Sequence, residues 1–276
     1  MIVVTGATGR VGRPLVRALA DAGERVTAVS RRAPAPADLP PAVRHHRADL
    51  AEPAALGPAL EGASALFLLT SGEFLGAGGD LGAVMDVAVA AGVRRVVLLS
   101  SQGVGTGHHP SALEDTVQAA EAEWTILRPS GFHSNALQWA ESVRARRTVE
   151  APFADVALPT VDPLDIAGAA AVTLREPGHA GRTYDLTGPA PVSPREQTEA
   201  IEAALGEPVR CVELTRAQAR DRMTRFMPEP VVESTLDMLG SPPEALRRVS
   251  ADTEHLLGRC PYAFADWAAR HADAFK

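Results

Sequence analysis

The stretch Thr5-Gly6-Ala7-Thr8-Gly9-Arg10-Val11-Gly12 restricts the fold of this chain more than any other. It follows the apolar run 2–5 directly and opens the segment 13–22, in which Leu15, Leu19 and Ala22 share one helical face. Glycines spaced G-x-x-G-x-x-G between a strand and a helix let the backbone turn sharply. They also let an anion approach the helix N-terminus, where N–H groups and the helix dipole favour negative charge. Pro14 lies in that first turn, where its missing N–H costs nothing. Gly6, Thr8, Gly9, Arg10, Val11 and Gly12 are therefore expected to cradle the pyrophosphate of a dinucleotide.

The rest of the first half supports a parallel sheet. Residues 25–30 (RVTAVS), 43–46, 65–69 (ALFLL), 95–100 (RVVLLS), 124–127 (WTIL) and 182–186 read as further strands. Most are continuously apolar, as strands are when helices cover both faces. Residues 81–91 read as a helix ended by Gly92, and 162–172 as another that could pack on the sheet. The expected fold is α/β, a Rossmann-type doubly wound parallel sheet with a smaller, mostly helical C-terminal lobe. After about residue 150 prolines punctuate the chain, and the segment 193–205 carries a Ser193 cap, Pro194 at the first helical position and Glu196 three residues on. Residues 210–214 read as a strand, and 216–226, 230–239 and 264–275 as helices. The division expected is a dinucleotide-binding domain over 1–150, with returning segments near 156–190, and a substrate-side lobe over 191–276.

Charge narrows the partners. The 276 residues carry 34 acidic and 27 basic side chains, a net charge of −7, which gives no electrostatic footprint for direct nucleic-acid binding or for an anionic membrane. No apolar stretch reaches 18 residues, and the N-terminus lacks the features of a secretory signal, so a cytoplasmic protein is expected. Cys211 and Cys260 lie far apart without a nearby histidine cluster, so neither a disulfide nor a metal site is expected. A homodimer is left open.

The end of the second strand selects the cofactor. A ribose with free hydroxyls calls for Asp or Glu about 20 residues past the glycine turn. Ser30-Arg31-Arg32 stands there instead, and planar guanidiniums suit a 2′-phosphate, so NADP(H) is expected over NAD(H). Asp49-Leu50 would meet the adenine. Thr70-Ser71 and Ser100-Ser101-Gln102 would line the same carboxyl edge of the sheet.

With TGATGRVG, VSRR, LLSSQG and WTILRPSGF (residues 124–132), the chain resembles the NmrA-like branch of the atypical short-chain dehydrogenases over nearly its whole length. The resemblance implies a C-terminal lobe forming the substrate cleft, and it places Pro129 and the residues after it, Phe132 among them, beside the nicotinamide. Members include quinone and isoflavone-type reductases as well as regulators that bind NADP without turning anything over. A typical short-chain dehydrogenase protonates its substrate with a tyrosine followed four residues later by a lysine. This chain cannot, because its only tyrosines are Tyr184 and Tyr262 and its only lysine is Lys276.

Hydride transfer that needs little acid catalysis survives this loss, and a quinone that leaves as a stabilised phenolate qualifies. Candidate hydrogen-bond or proton donors are Gln102 and the pair His108-His109. Phe132 and Trp139 could wall the substrate pocket, Asn135 could anchor the substrate, and Met223, Phe226 and Met227 could close it. The glycine-rich stretch 71–82 reads as a mobile flap. The reading is thus an NADPH-dependent reductase of a quinone-like or conjugated aromatic substrate. The alternative is a non-catalytic NADP(H) sensor regulating a protein partner, and a tailoring enzyme acting on an aromatic ring would use the same hydride step.

Overall fold

The structure, a computed structural model, describes residues 1–35 and 39–276. They fall into two compact units. The first comprises Met1–Pro129, Pro163–Leu186 and Asp252–Arg259; the second comprises Ser130–Asp162, Thr187–Ala251 and Cys260–Lys276. The first break falls at Pro129, not near 150, because the strand that follows it in sequence does not join the large sheet.

That sheet belongs to the first unit. Its strands are β1 (Ile2–Val4), β2 (Val26–Ser30), β3 (Arg44–Arg47), β4 (Ala65–Leu68), β5 (Arg95–Leu99), β6 (Glu123–Pro129) and, after β7 (Thr148–Pro152) of the second unit, β8 (Arg182–Leu186). They lie in the order β3-β2-β1-β4-β5-β6-β8, and every neighbouring pair is parallel. The Rossmann-type doubly wound α/β fold expected from the sequence is therefore present. Burial explains the sequence pattern: β1, β2 and β4 are buried throughout, whereas the edge strands β3 and β8 expose most of their residues at least partly. On one face the helix Gly12–Asp21 packs against Pro163–Arg175, which packs in turn against Asp252–Leu257. On the other, Leu81–Ala90 packs against Pro53–Leu56 and Ala112–Ala119. Val3, Val29, Leu66, Leu68, Val96, Leu98 and Ile126 of the sheet meet Leu56, Val84, Met85, Ala88 and Val117 of these helices in one apolar core.

The second unit holds a two-stranded parallel sheet, β7 with β9 (Arg210–Leu214). Its core joins Trp139, Val143, Val149, Ile201, Phe264, Trp267 and Phe275. The helix Pro194–Leu205 begins with the expected capping box, Ser193 accepting from Glu196 N–H while the Glu196 carboxylate accepts from Ser193 N–H. β7 was not evident in the sequence, since its TVEAP offers only Val149 and Ala151 as buried apolar residues, too short an alternation to read as a strand.

Candidate cofactor site

The strand order reverses between β1 and β4, the position where open α/β sheets bind ligands beyond the carboxyl ends of their strands. Thr5 ties those two ends together. Its hydroxyl shares its proton between the carbonyls of Phe67 (3.1 Å) and Leu69 (3.2 Å) and accepts the Leu69 N–H at 2.8 Å. Next comes the glycine turn, entered by Gly6 at φ +62°. A Cβ at Gly12 would lie 2.2 Å from the Gly6 carbonyl oxygen, so any side chain there would force the turn away from the helix. The helix Gly12–Asp21 starts at Val11 with no side-chain cap and no acidic residue in its first turn. By contrast, Asp80 caps the helix Leu81–Ala90. The first turn thus presents a positive dipole end that neither its N-cap side chain nor an acidic residue of its own satisfies, which is the setting that a pyrophosphate fits.

At the end of β2, Ser30 is buried. Its hydroxyl donates to the Arg32 carbonyl at 2.7 Å and lies 2.9 Å from His45 Nε2 on β3. Burial, and His46 beside it, hold the His45 pKa below its ordinary value, so a neutral ring faces Ser30. Ser30 therefore shapes the strand end, and the groups it leaves exposed are Arg31 and Arg32. Arg31 is hydrogen-bonded and ion-paired to Glu73, and this partner raises its pKa. Asp49 Oδ1 accepts the Ala51 N–H at 3.1 Å, and Leu50 packs against the sheet core. Thr70 is half-buried just past β4. Ser71 caps the short helix Gly72–Gly76 by accepting the Phe74 N–H at 3.1 Å. The stretch read as a flap contains a packed turn: Phe74 is buried, and Gly79 lies so close that a Cβ there would sit 2.3 Å from the Phe74 ring.

At the end of β5, the Ser100 hydroxyl donates to Glu114 Oε1 at 2.5 Å. Glu114, on the helix Ala112–Ala119, is 2% exposed and also accepts Arg128 Nε at 2.9 Å and Nη2 at 2.5 Å, so the pair is bidentate. The hydrogen bond to Glu114 raises the Arg128 pKa. On β8, in register with Arg128, Asp185 keeps Oδ1 buried without a hydrogen-bond partner, and burial raises its pKa against the opposing pull of Arg128. Glu114 and Asp185 were not singled out from the sequence. The signal for Glu114 was there: it stands three residues before Val117 on the apolar face of its helix, and a buried carboxylate needs a cation.

Ser101 accepts the Gly103 N–H at 3.1 Å, and its hydroxyl lies 3.1 Å from His109 Nδ1, with the His109 ring over Gly103. Partial burial of the ring and the neighbouring His108 lower the His109 pKa. His108 is exposed, 2.9 Å from the Thr106 hydroxyl through Nδ1. Gln102, first residue of the short helix Gln102–Gly105, is buried, and Pro129 ends β6. Tyr184 donates or accepts at His179 Nδ1 (2.8 Å), so its hydroxyl is committed away from any lysine.

In the second unit, Phe132 is half-buried and Asn135 exposed on the 3-10 segment His133–Trp139. Trp139 is buried in the core rather than available as a wall. Met223 and Met227 pack against Leu214, Ala219, Val232 and Leu236, while Phe226 points outward at 71% exposure. The expected three-residue cluster therefore splits. No metal-binding cluster occurs among the described residues, and among them no helix is long and apolar enough to cross a membrane.

Residues 6–162 match a protein family described as NAD(P)H-binding. The chain belongs to that family. This NAD(P)H-binding protein is 36% identical to the (4-alkanoyl-5-oxo-2,5-dihydrofuran-3-yl)methyl phosphate reductase of Streptomyces griseus, covering 100% of this chain and 99% of that one. It is 32% identical to the NAD(P)H azoreductase of Xenophilus azovorans, again over 100% and 99% of the two chains. Its fold matches that of an NADPH-dependent quinone oxidoreductase from Escherichia coli solved with NADPH, with a TM-score of 0.81, 24% identity, and coverage of 98% of this chain and 99% of that chain. The protein is an NAD(P)H-dependent reductase, as the motifs implied.

Proposed function

We propose that the protein reduces electron-poor conjugated acceptors, quinones first, at the expense of NADPH. The observation that carries this reading is the missing acid: Tyr184 is bonded to His179, and the only lysine is Lys276. A substrate suited to such a site must become a stabilised anion when it takes up hydride. A quinone does so as a phenolate. The acceptors in the relatives' names, an acylated unsaturated lactone and an azo compound, share that property.

When bound, NADPH supplies the hydride. The chain's own groups position and balance it. Gly6, Thr8, Gly9, Arg10, Val11 and Gly12 present backbone and the helix N-terminus to the pyrophosphate. Arg31 and Arg32 meet the 2′-phosphate, with Ser30 shaping their strand end, and Asp49 and Leu50 meet the adenine. Thr70, Ser71 and Ser100 form the edge along which the cofactor lies, and Pro129 and Phe132 flank the nicotinamide. Gln102, at the carboxyl edge of the large sheet, is assigned to substrate orientation. His109, joined to Ser101, is favoured over His108 as the proton source, because its ring is anchored at the end of β5. This reading places the protein in the cytoplasm, where cysteines stay reduced, and leaves a homodimer as its candidate assembly.

The test is NADPH oxidation across a panel of quinones, unsaturated lactones and azo dyes, run beside a binding titration. Saturable turnover with at least one conjugated class is expected. Tight NADPH binding with no turnover on any of them would overturn the reading in favour of an NADP(H) sensor.

A further inference from the structure

Arg31 and Arg32 stand at the end of β2 where an acidic residue would bind a ribose. The fold, however, returns carboxylates to that place from elsewhere in the chain. Glu73 holds Arg31 from the turn after β4, and Asp49, just past β3, acts on the same guanidinium. Glu73 is no loose surface acid. Ser71 caps the Phe74 N–H, Phe74 is buried, and the Ala77 N–H donates to the Glu73 carbonyl at 3.0 Å, so the residue is fixed between a cap and an anchor. Its side chain remains 74% exposed and that of Arg31 52% exposed, so both can change partners without opening the core.

Two consequences follow from the charges alone. A 2′-phosphate reaching Arg31 must share the guanidinium with Glu73, which holds Nη1, and settle near that carboxylate, which repels it. A ribose with a free 2′-hydroxyl meets no such repulsion and finds in Glu73 an acceptor of the kind that binds ribose hydroxyls. We propose that Glu73 sets the choice between NADPH and NADH, holding the preference for NADPH low by competing with its 2′-phosphate for Arg31. The proposal rests on the reading of Arg31 as a 2′-phosphate ligand.

Calorimetric titration of NADPH and NADH into the full-length protein and its variants Glu73→Gln, Arg31→Ala and the double variant tests both steps. Glu73→Gln is expected to tighten NADPH about two- to tenfold, more at low salt, with NADH unchanged or weakened. In the Arg31→Ala background the same change should bring no gain. If Arg31→Ala weakens NADPH while Glu73→Gln moves neither cofactor, or both equally, the role of Glu73 is refuted and that of Arg31 stands. If Arg31→Ala leaves NADPH affinity unchanged, the Arg31 reading falls and the proposal with it.

Discussion

Replacing Glu114 by alanine tests whether the carboxyl edge of the sheet is held by a buried ion pair. Glu114 is 2% exposed and accepts three hydrogen bonds, from the Ser100 hydroxyl and from two nitrogens of Arg128. Breaking a buried pair from one side costs about 3–5 kcal/mol, because the remaining charge is left uncompensated. Two features lower that figure here. The Arg128 side chain is 23% exposed, and Asp185 lies in register beside it with a carboxylate oxygen that has no hydrogen-bond partner. Arg128 can therefore turn partly to Asp185, and the expected loss is about 2–4 kcal/mol. At about 2–4 °C per kcal/mol, the melting temperature should fall by roughly 4–16 °C. Urea unfolding followed by circular dichroism measures the loss directly, and Asp185→Asn in the Glu114→Ala background should deepen it. In the parent protein the same Asp185→Asn change acts in the opposite sense. Burial raises the Asp185 pKa, so the folded state favours the protonated acid and is penalised by its charge at neutral pH. Asp185→Asn should then stabilise by about 1 kcal/mol at pH 7, and the gain should fade as pH falls through the raised pKa. A Glu114→Ala cost below about 0.5 kcal/mol, the range of an ordinary surface change, would refute the reasoning.

Two further predictions concern the cofactor turn and the proton. Gly12→Ala places a Cβ 2.2 Å from the Gly6 carbonyl oxygen and should weaken NADPH and NADH alike by at least about tenfold, read by fluorescence titration; a selective loss of one cofactor would contradict the pyrophosphate role. If His109 protonates the reduced product, it acts as imidazolium, and its lowered pKa means that kcat should fall as pH rises through a value below the ordinary 6.5. His109→Gln should flatten that limb and lower kcat about tenfold or more, whereas an unchanged profile would exclude the ring.

Local pattern revealed the elements whose cause is local. The inner strands β1, β2 and β4 of the large sheet are buried throughout and read as mostly apolar runs, and the glycine turn is dictated by one close backbone approach at Gly12. Ser193 and Glu196 announced their helix because a capping box is complete within four residues. What stayed illegible depends on partners distant in sequence. Glu114 meets an arginine 14 residues on, Arg31 meets a glutamate 42 residues on, and Ser30 meets a histidine on the next strand. The short helix Gly72–Gly76 within the glycine-rich stretch stayed hidden for the same reason. Glycine licenses flexibility, but Gly79 is small because the Phe74 ring presses on it.

The same distinction bears on how a reductase can do without a tyrosine and a lysine. Alkoxide formed by reducing an isolated carbonyl is strongly basic, so its transition state needs a nearby acid, and general acid help is commonly worth about 10²–10⁴ in rate. A phenolate or an enolate carries its charge over several atoms, and the acid's share of the barrier shrinks with the basicity it must quench. What remains is placement of the two reactants, which can by itself supply a large part of the barrier lowering. Buried polar groups fix the carboxyl edge of the sheet: Thr5 joins β1 to β4, Ser30 fixes the end of β2, and Glu114 locks the ends of β5 and β6 through Ser100 and Arg128. On the proposed function, an edge built this way would hold the cofactor in register and leave protonation to the His109 ring at its margin. On that logic the substrate range should follow the stability of the anion formed, not the size of the ring, so unconjugated ketones should fail even where quinones of equal bulk succeed.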